Sequence, residues 1–304
     1  MAISRAQLVK ELEPGLNALF GLEYKRYENQ HAEIYTTESS DRAFEEEVML
    51  SGFANANVKA EGSGVEFDEA QETYTARYTH DTIALAFAIT EEAIEDNLYD
   101  RIASRYTKAL ARSMSNAKQV KAATPLNNGL SSIATFKSGD TVGLFSTNHT
   151  TVSGTAVKNT LTTQADLNET SLEQALIDIA AMTDERGLRV AAKAVKMIVP
   201  SANQFAAERL LKSQGRTGTA DNDINAVVSM GMVPQGYRVN NFLTDSDSWY
   251  ITTDVPNGMK MFQRAALKTA MEGDFDTGNV RYKARERYVF GVSDPRGIFA
   301  SPGA

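Results

Sequence analysis

The stretch TEEAIEDNLYDRIASRYTKALARSMSNAKQVKAA, residues 90–123, decides how the rest of the chain is read. Ile94, Leu98, Ile102, Tyr106, Leu110, Met114, Ala117 and Val120 recur every three or four residues. That spacing predicts one long helix with a single apolar stripe. Thr90 is the expected N-cap, and Glu91, Glu92, Glu95 and Asp96 fill the first turns, where the helix dipole favours acids. Lys118 and Lys121 lie near the other end, and Pro125 is expected to stop the helix. At ~1.5 Å per residue the helix would span roughly 50 Å, more than an ordinary globular core requires. A rod of that length organises something extended.

Towards the N-terminus, residues 41–89 read as strands. SGFANANVKAEGSGVEF (51–67) turns at Gly62-Ser63-Gly64, and TYTARYTHDTIALAFAI (73–89) is rich in Thr, Tyr and Ile. The expectation is a thin, two-stranded excursion that leads straight into the helix. An isolated hairpin is marginal in water, so this one should rest on a partner. Residues 4–20 read as a short amphipathic helix, capped by Ser4 and broken at Pro14-Gly15, with Leu8, Leu12, Leu16 and Leu19 on one side. Residues 21–40 read as an extended arm without a core.

Towards the C-terminus, residues 126–163 read as a long Gly/Ser/Thr/Asn-rich loop with one hairpin. A helix is expected over Leu172–Gly187 with Gly187 as terminator, then a strand AVKMIV stopped by Pro200, and a helix SANQFAAERLLKS capped by Ser201. Gln214–Asn225 reads as a loop. Strands are expected at Tyr237–Leu243, Trp249–Thr253 and Met259–Arg264, making a compact α/β unit with the preceding helices. A turn over Glu272–Asn279 precedes the strand NVRYKARERYVFGV (279–292), and Ile298–Ala300 is a last short strand. The period of two in that long strand sets Arg281, Lys283, Arg285 and Arg287 on one face.

The 304 residues contain no cysteine, which excludes disulfides and thiolate chemistry and suits a reducing cytoplasm. No run of ~18 apolar residues is present, and MAISRAQLVKELEPG lacks the continuous apolar core of a signal peptide. A net charge of −8 argues against extended wrapping of nucleic acid. The charge is segregated: residues 38–72 are strongly acidic and 281–296 basic. Two such segments can meet within a chain or between chains, or be separate solvated faces.

Chemistry is sparse. His31, His80 and His149 have no second metal ligand at short spacing. Ser146 and His149 are neighbours in FSTNHT, without a nucleophile-elbow pattern. Asp245/Asp247 and Asp274/Asp276 lack the spacing of a calcium loop, and Gly62-x-Gly64 does not open a helix as a phosphate cradle must. No catalytic, cofactor-binding or metal site is expected, and the chain is read as a non-enzyme that hides excess surface on neighbours.

GLFSTNHT, MIVPSANQFAAERLL, LTDSDSWYI, GMKMFQRA and DTGNVRYKARERYVFGVSDPRGIFASPGA resemble the major capsid proteins of tailed phages with the Hong Kong 97-type fold, and within them the Mu-like phage head subunits. The resemblance implies an α+β protein with a 1–40 arm, a 41–89 extended loop lying over a neighbour, a peripheral domain beginning with the 90–123 spine helix and its following loop to 165, and a 166–262 axial domain. Residues 263–291 would be peripheral strands and a three-fold loop, and 292–304 would return to the axial domain. It implies hexamers and pentamers in an icosahedral shell around double-stranded DNA, built in the host cytoplasm, with separate scaffold and portal proteins, decoration proteins in some cases, no cofactor and no membrane. Lys59 and Asn279 are of the types that some relatives join in an isopeptide crosslink. The expected inter-subunit contact sets Glu61, Glu66, Asp68 and Glu69 of one copy against Arg281, Lys283, Arg285 and Arg287 of the next. An encapsulin-like compartment shell and, from another class, a soluble hydrolase using scattered carboxylates or Ser146 with His149 are the alternatives.

Overall fold

The computed structural model describes residues 5–90, 92–93, 99–129, 140, 142–216, 223–274 and 278–304. Its centre is the helix α2, Tyr99–Gly129, preceded by α1, Arg5–Arg26. The 31 residues of α2 make it about 46 Å long. At its N-terminal side the Ala93 N–H donates to Thr90 Oγ1 over 3.4 Å, and residues 92 and 93 are helical; the expected stripe positions Ile94 and Leu98 lie outside the described residues. Leu110 and Met114 are buried as the period requires, whereas Tyr106 and Val120 are 53% and 48% exposed and fall off the stripe.

Two prolines behave otherwise than expected. Pro14 lies inside α1 and Pro125 inside α2, neither ending its helix. A proline removes one N–H and leaves a carbonyl one turn back without its partner. Around Pro125, side chains occupy neighbouring carbonyls: the Tyr35 hydroxyl donates to Ala122 O (2.7 Å), Thr124 Oγ1 to Val120 O (2.9 Å) and the Tyr250 hydroxyl to Leu126 O (3.2 Å). The described helix thus runs past Pro125 to Gly129, where a Cβ would sit 2.7 Å from the Phe145 ring. The arm expected over 21–40 is helical to Arg26, then forms a 3-10 turn at Gln30–Glu33 and the strand β1, Thr36–Ser39. Leu16 and Phe20 of α1 pack with Leu110 and Met114.

The strands β2 (Phe44–Leu50) and β3 (Glu72–Thr79) form an antiparallel ribbon. The run 73–89 is not one strand. It divides at His80, and β4 (Asp81–Ile89) joins a different sheet. That sheet has the order β1-β10-β11-β4, with β10 at Met259–Gly273 and β11 at Val280–Val292. The strand expected to stop at Arg264 thus runs on to Gly273, into the turn expected over Glu272–Asn279, bent by irregularities at Gln263/Ala265 and Ala265/Lys268. One face of this sheet lies on α2 and α1 through Tyr282, Ala284 and Ile89.

The remaining elements are the small hairpin β5 (His149–Thr150) and β6 (Ala156–Val157), helix α3 (Glu169–Ala180), strand β7 (Ala194–Val199), helix α4 (Gln204–Lys212), the single turn α5 (Ala226–Ser229), and strands β8 (Tyr237–Val239), β9 (Trp249–Thr253) and β12 (Ile298–Ser301). The second sheet, β12-β9-β7-β8, carries α3 and α4 around a core centred on Leu172, Met197, Trp249 and Phe299. α3 is shorter than expected and is started by a capping box between Asn168 and Ser171. Gly187 is not its terminator; at φ +85° it turns the chain between Asp184 and Leu188. Ser201 opens a 3-10 turn without a side-chain cap, and β8 stops at Val239 rather than Leu243. The loop Gln214–Asn225 is described only at its ends, where Gly215 bridges Ile224. The two sheets meet where Gly258 and Gly297 pass so closely that a Cβ on Gly297 would stand 2.3 Å from the Gly258 Cα.

Candidate inter-subunit surface

Strand β11 separates two chemistries by its period of two. Its inner side chains Tyr282, Ala284, Glu286 and Tyr288 are buried against the helices. Glu286 is fully buried and pairs with Lys118 of α2 at 3.0 Å, with the Lys118 amine also 5.0 Å above the Tyr288 ring. Burial pushes the Glu286 carboxyl above its usual range, and Lys118 acts against that shift. Beside them His31 is buried, which drives its pKa down to about 4, with the Lys118 charge acting in the same direction. The sequence signal for this pair is the alternation that sets Glu286 on the inward face; the place of Lys118 near the helix end carries no such signal.

The outer side chains are Arg281, Lys283, Arg285 and Arg287, the first three exposed. They stand beside a row of small residues, in register Arg281 with Ala88, Lys283 with Ala86, Arg285 with Ala84 and Arg287 with Thr82. On the β10 side their neighbours are Glu272, Ala270, Lys268 and Ala265. Arg281 forms an ion pair with Asp274. Lys283 and Arg285 have no ion pair among the described residues.

The expected acids lie on the loop between β2 and β3. Glu61 is exposed at the turn. Glu66 accepts from Asn57 Nδ2 at 2.7 Å. Asp68 accepts the backbone N–H groups of Ala54 (2.7 Å) and Glu69 (2.9 Å), which hold its carboxyl below its usual range. Glu69 gives its carbonyl to the Arg186 guanidinium. None of these four acids pairs with the basic row within one chain. The same loop exposes Val58, Val65 and Phe67 almost completely, Phe67 at 97%.

The ribbon's base is fixed where its tip is not. Lys260 of β10, buried, pairs with Glu38 at 3.1 Å and with Glu47 of β2. Burial alone would lower the Lys260 pKa; the two carboxylates outweigh it and hold the amine above its usual range. Ser293 joins Glu47 and the Tyr78 hydroxyl, and Gly291 leaves room for the Tyr78 ring, whose Cε1 would lie 2.3 Å from a Cβ. Arg296 makes a two-nitrogen contact with Asp294 (2.8 and 2.9 Å) and donates to Thr183 O at 3.1 Å. This network ties ribbon, closing strands and second sheet together.

His149 sits between Asp140 (Nδ1 to Oδ2, 2.6 Å) and Asn159 (Nε2 to Oδ1, 3.1 Å). Both ring nitrogens are engaged, and the Ser146 hydroxyl instead accepts the Asn148 N–H at 3.0 Å. The pair is therefore not arranged as nucleophile and base. Among the described residues no group of three metal-ligating side chains gathers, and no helix is long and apolar enough to cross a membrane.

The sequence model of the phage capsid protein family matches residues 73–301, about three quarters of the chain. The chain belongs to the phage capsid protein family. No curated protein sequence matches it. Among solved structures, this capsid protein is similar to the procapsid protein of bacteriophage JBD30, with a TM-score of 0.54 at 13% identity over 98% of this chain and 76% of that one. It is similar to the capsid protein of Myoviridae phage XM1, with a TM-score of 0.53 at 11% identity over 89% of each chain. It is also similar to the virus-like particle protein of Pyrococcus furiosus, with a TM-score of 0.52 at 11% identity over 94% of this chain and 97% of that one. At these identities the likeness establishes the fold, which is the Hong Kong 97-type α+β fold. Family and fold together make the chain a structural protein, the major capsid protein of a tailed-phage head with an icosahedral shell. The family match favours this over an encapsulin-like compartment shell.

Proposed function

We propose that this capsid protein assembles as hexamers and pentamers around double-stranded DNA, each copy laying the ribbon end of the 41–89 segment over a neighbour, while β4 (81–89) stays in the sheet of its own copy. The observation that carries the reading is the loop itself: residues 53–70 are exposed throughout, Val58, Val65 and Phe67 included. Apolar side chains at the end of a pinned ribbon have no core of their own and are covered only by another molecule. In this reading 1–40 is the arm, 90–165 holds the spine helix and its loop, 166–262 is the axial domain, 263–291 carries peripheral strands with a three-fold loop, and 292–304 returns to the axial domain. Scaffold, portal and decoration proteins are its partners, assembly takes place in the host cytoplasm, and the Mu-like head subunits are the branch it falls in.

Across the contact, Glu61, Glu66, Asp68 and Glu69 of one copy face Arg281, Lys283, Arg285 and Arg287 of the next. Each exposed pair contributes ~0–1 kcal/mol, and repetition over a whole shell gives the sum its weight. Lys283 and Arg285 are the cations with most to gain, because Arg281 already has Asp274. The test is the double charge reversal Arg285→Glu with Arg287→Glu. Failure to form particles, with the fold retained by circular dichroism, is the expected result. Normal particles would refute the charge contact.

A further inference from the structure

The first sheet ends in an unguarded edge. β4 is hydrogen-bonded to β11 on one side and, among the described residues, to no strand on the other. Its nine residues, DTIALAFAI, contain one charge, at the first position, and no proline, and its pairing with β11 has no bulge. Soluble proteins normally blunt such an edge with lysines, prolines or bulges, because its free N–H and C=O groups recruit another strand.

A second set of unpaired backbone groups lies on the loop. Its limbs, 53–59 and 64–68, run side by side without exchanging a backbone hydrogen bond; the ladder of β2 and β3 ends with Ser51 N–H donating to Gln71 O, and the tip has only Ser63 N–H to Ala60 O. The limbs are held instead by side chains, Asn57 to Glu66 and Asp68 to the Ala54 N–H. The loop is thus extended with its main chain open.

We infer that the limb Gly64–Asp68 of one copy adds as a fifth strand to the free edge of β4 in a second copy. This rests on the proposed shell and specifies its main contact. The partner is a second copy of this chain because two independent faces match. In an extended limb Glu66 and Asp68 point to one side and Val65 and Phe67 to the other. On the outer face of the sheet, β4 presents Ala84, Ala86 and Ala88, and the next strand presents Arg285, Lys283 and Arg281. An added strand would lie two strands from β11, ~10 Å away at ~4.8 Å per strand. The alanines leave the space between clear, so a glutamate on the new strand reaches an arginine or lysine over them. On the inner face, β4 leaves Leu85 47% exposed, and Tyr106 of α2 is 53% exposed beside Phe87. Val65 and Phe67 would cover those two. Because the side-chain period is two, this assignment of faces holds for either strand direction. The limb spans ~17 Å, enough to pair with five residues of β4.

The absence of native cysteine makes the test clean. Residues opposite each other on adjacent strands have Cα atoms ~4.5–5.5 Å apart, within the range a disulfide bridges. Glu66→Cys would be combined in turn with Ala84→Cys, Ala86→Cys and Ala88→Cys, all exposed positions, and Phe67→Cys with Ala86→Cys would serve as the wrong-face control. Oxidised particles should give inter-chain disulfide multimers for at least one of the three combinations and not for the control. Particles that form without any such disulfide, or with the control equally linked, would overturn strand addition while leaving the shell standing. Failure of the unsubstituted chain to form particles under any assembly condition would overturn both. As an independent readout, hydrogen exchange of outward-facing amides in 81–89 should slow about tenfold or more on assembly. Unchanged exchange there would also overturn the inference.

Discussion

Replacing Glu286 by leucine isolates the buried ion pair under the basic strand. Glu286 is fully buried, and its partner Lys118 keeps only 10% of its side chain in solvent, 3.0 Å away. The substitution would leave the Lys118 amine without its counter-charge in a site built from Tyr288, Tyr24 and His31. Removing one partner of a buried pair costs ~3–5 kcal/mol, whereas replacing both with apolar residues is close to neutral. At ~2–4 °C per kcal/mol the single variant should melt ~6–20 °C lower. Lys118→Met should be similarly costly, and the double variant Lys118→Met with Glu286→Leu should recover most of the loss. Urea unfolding of dissociated subunits at neutral pH measures all four corners of the cycle. Additive losses, or a single-variant loss below ~1 kcal/mol, would refute the reasoning. The pH dependence has a definite sign. Burial raises the Glu286 pKa above its ordinary 4.5, so the folded state holds this proton more tightly than the unfolded chain. Its contribution to stability is therefore complete at low pH and lost as pH rises through the folded value. Glu286→Gln should remove that slope.

His31 gives the opposite dependence. Its pKa falls from 6.5 to about 4 on burial, so stability should drop as pH falls through that window, by roughly 3 kcal/mol, and His31→Phe should flatten the profile measured by urea unfolding. Gly297→Ala would put a Cβ 2.3 Å from the Gly258 Cα; separation of the two backbone segments should cost ~1–3 kcal/mol, read as a lower melting temperature. Ala109→Pro in the exposed middle of α2 should cost ~3 kcal/mol or more, and particles should be absent by electron microscopy.

Legibility followed the range of the interactions. The long helix and the two faces of β11 were readable because a period of 3.6 or 2 is a local property of the sequence. The prolines misled for a tertiary reason: Pro125 stays helical where Tyr35 and Tyr250, remote in sequence, bind neighbouring carbonyls. The division of 73–89 at His80 was invisible because both halves have strand composition, and only pairing with β2 or β11 separates them. The run from Met259 to Gly273 looked like strand then loop because its second half is half-exposed, with bends at Ala265. Of the candidate surface, the charged residues were legible but their partners were not. Arg281 is already satisfied by Asp274, and the alanine row gains meaning only from its register with Lys283 and Arg285. The Lys118–Glu286 pair joins positions 168 residues apart, a distance that no periodicity reports.

Electron microscopy of the purified, unsubstituted chain tests the central claim most directly. The account predicts closed icosahedral shells whose surface resolves into rings of five and six copies, with density from the end of each β2–β3 ribbon resting on an adjacent copy. A chain that stays a monomer or small oligomer under all assembly conditions, with that ribbon end in solvent, would contradict it.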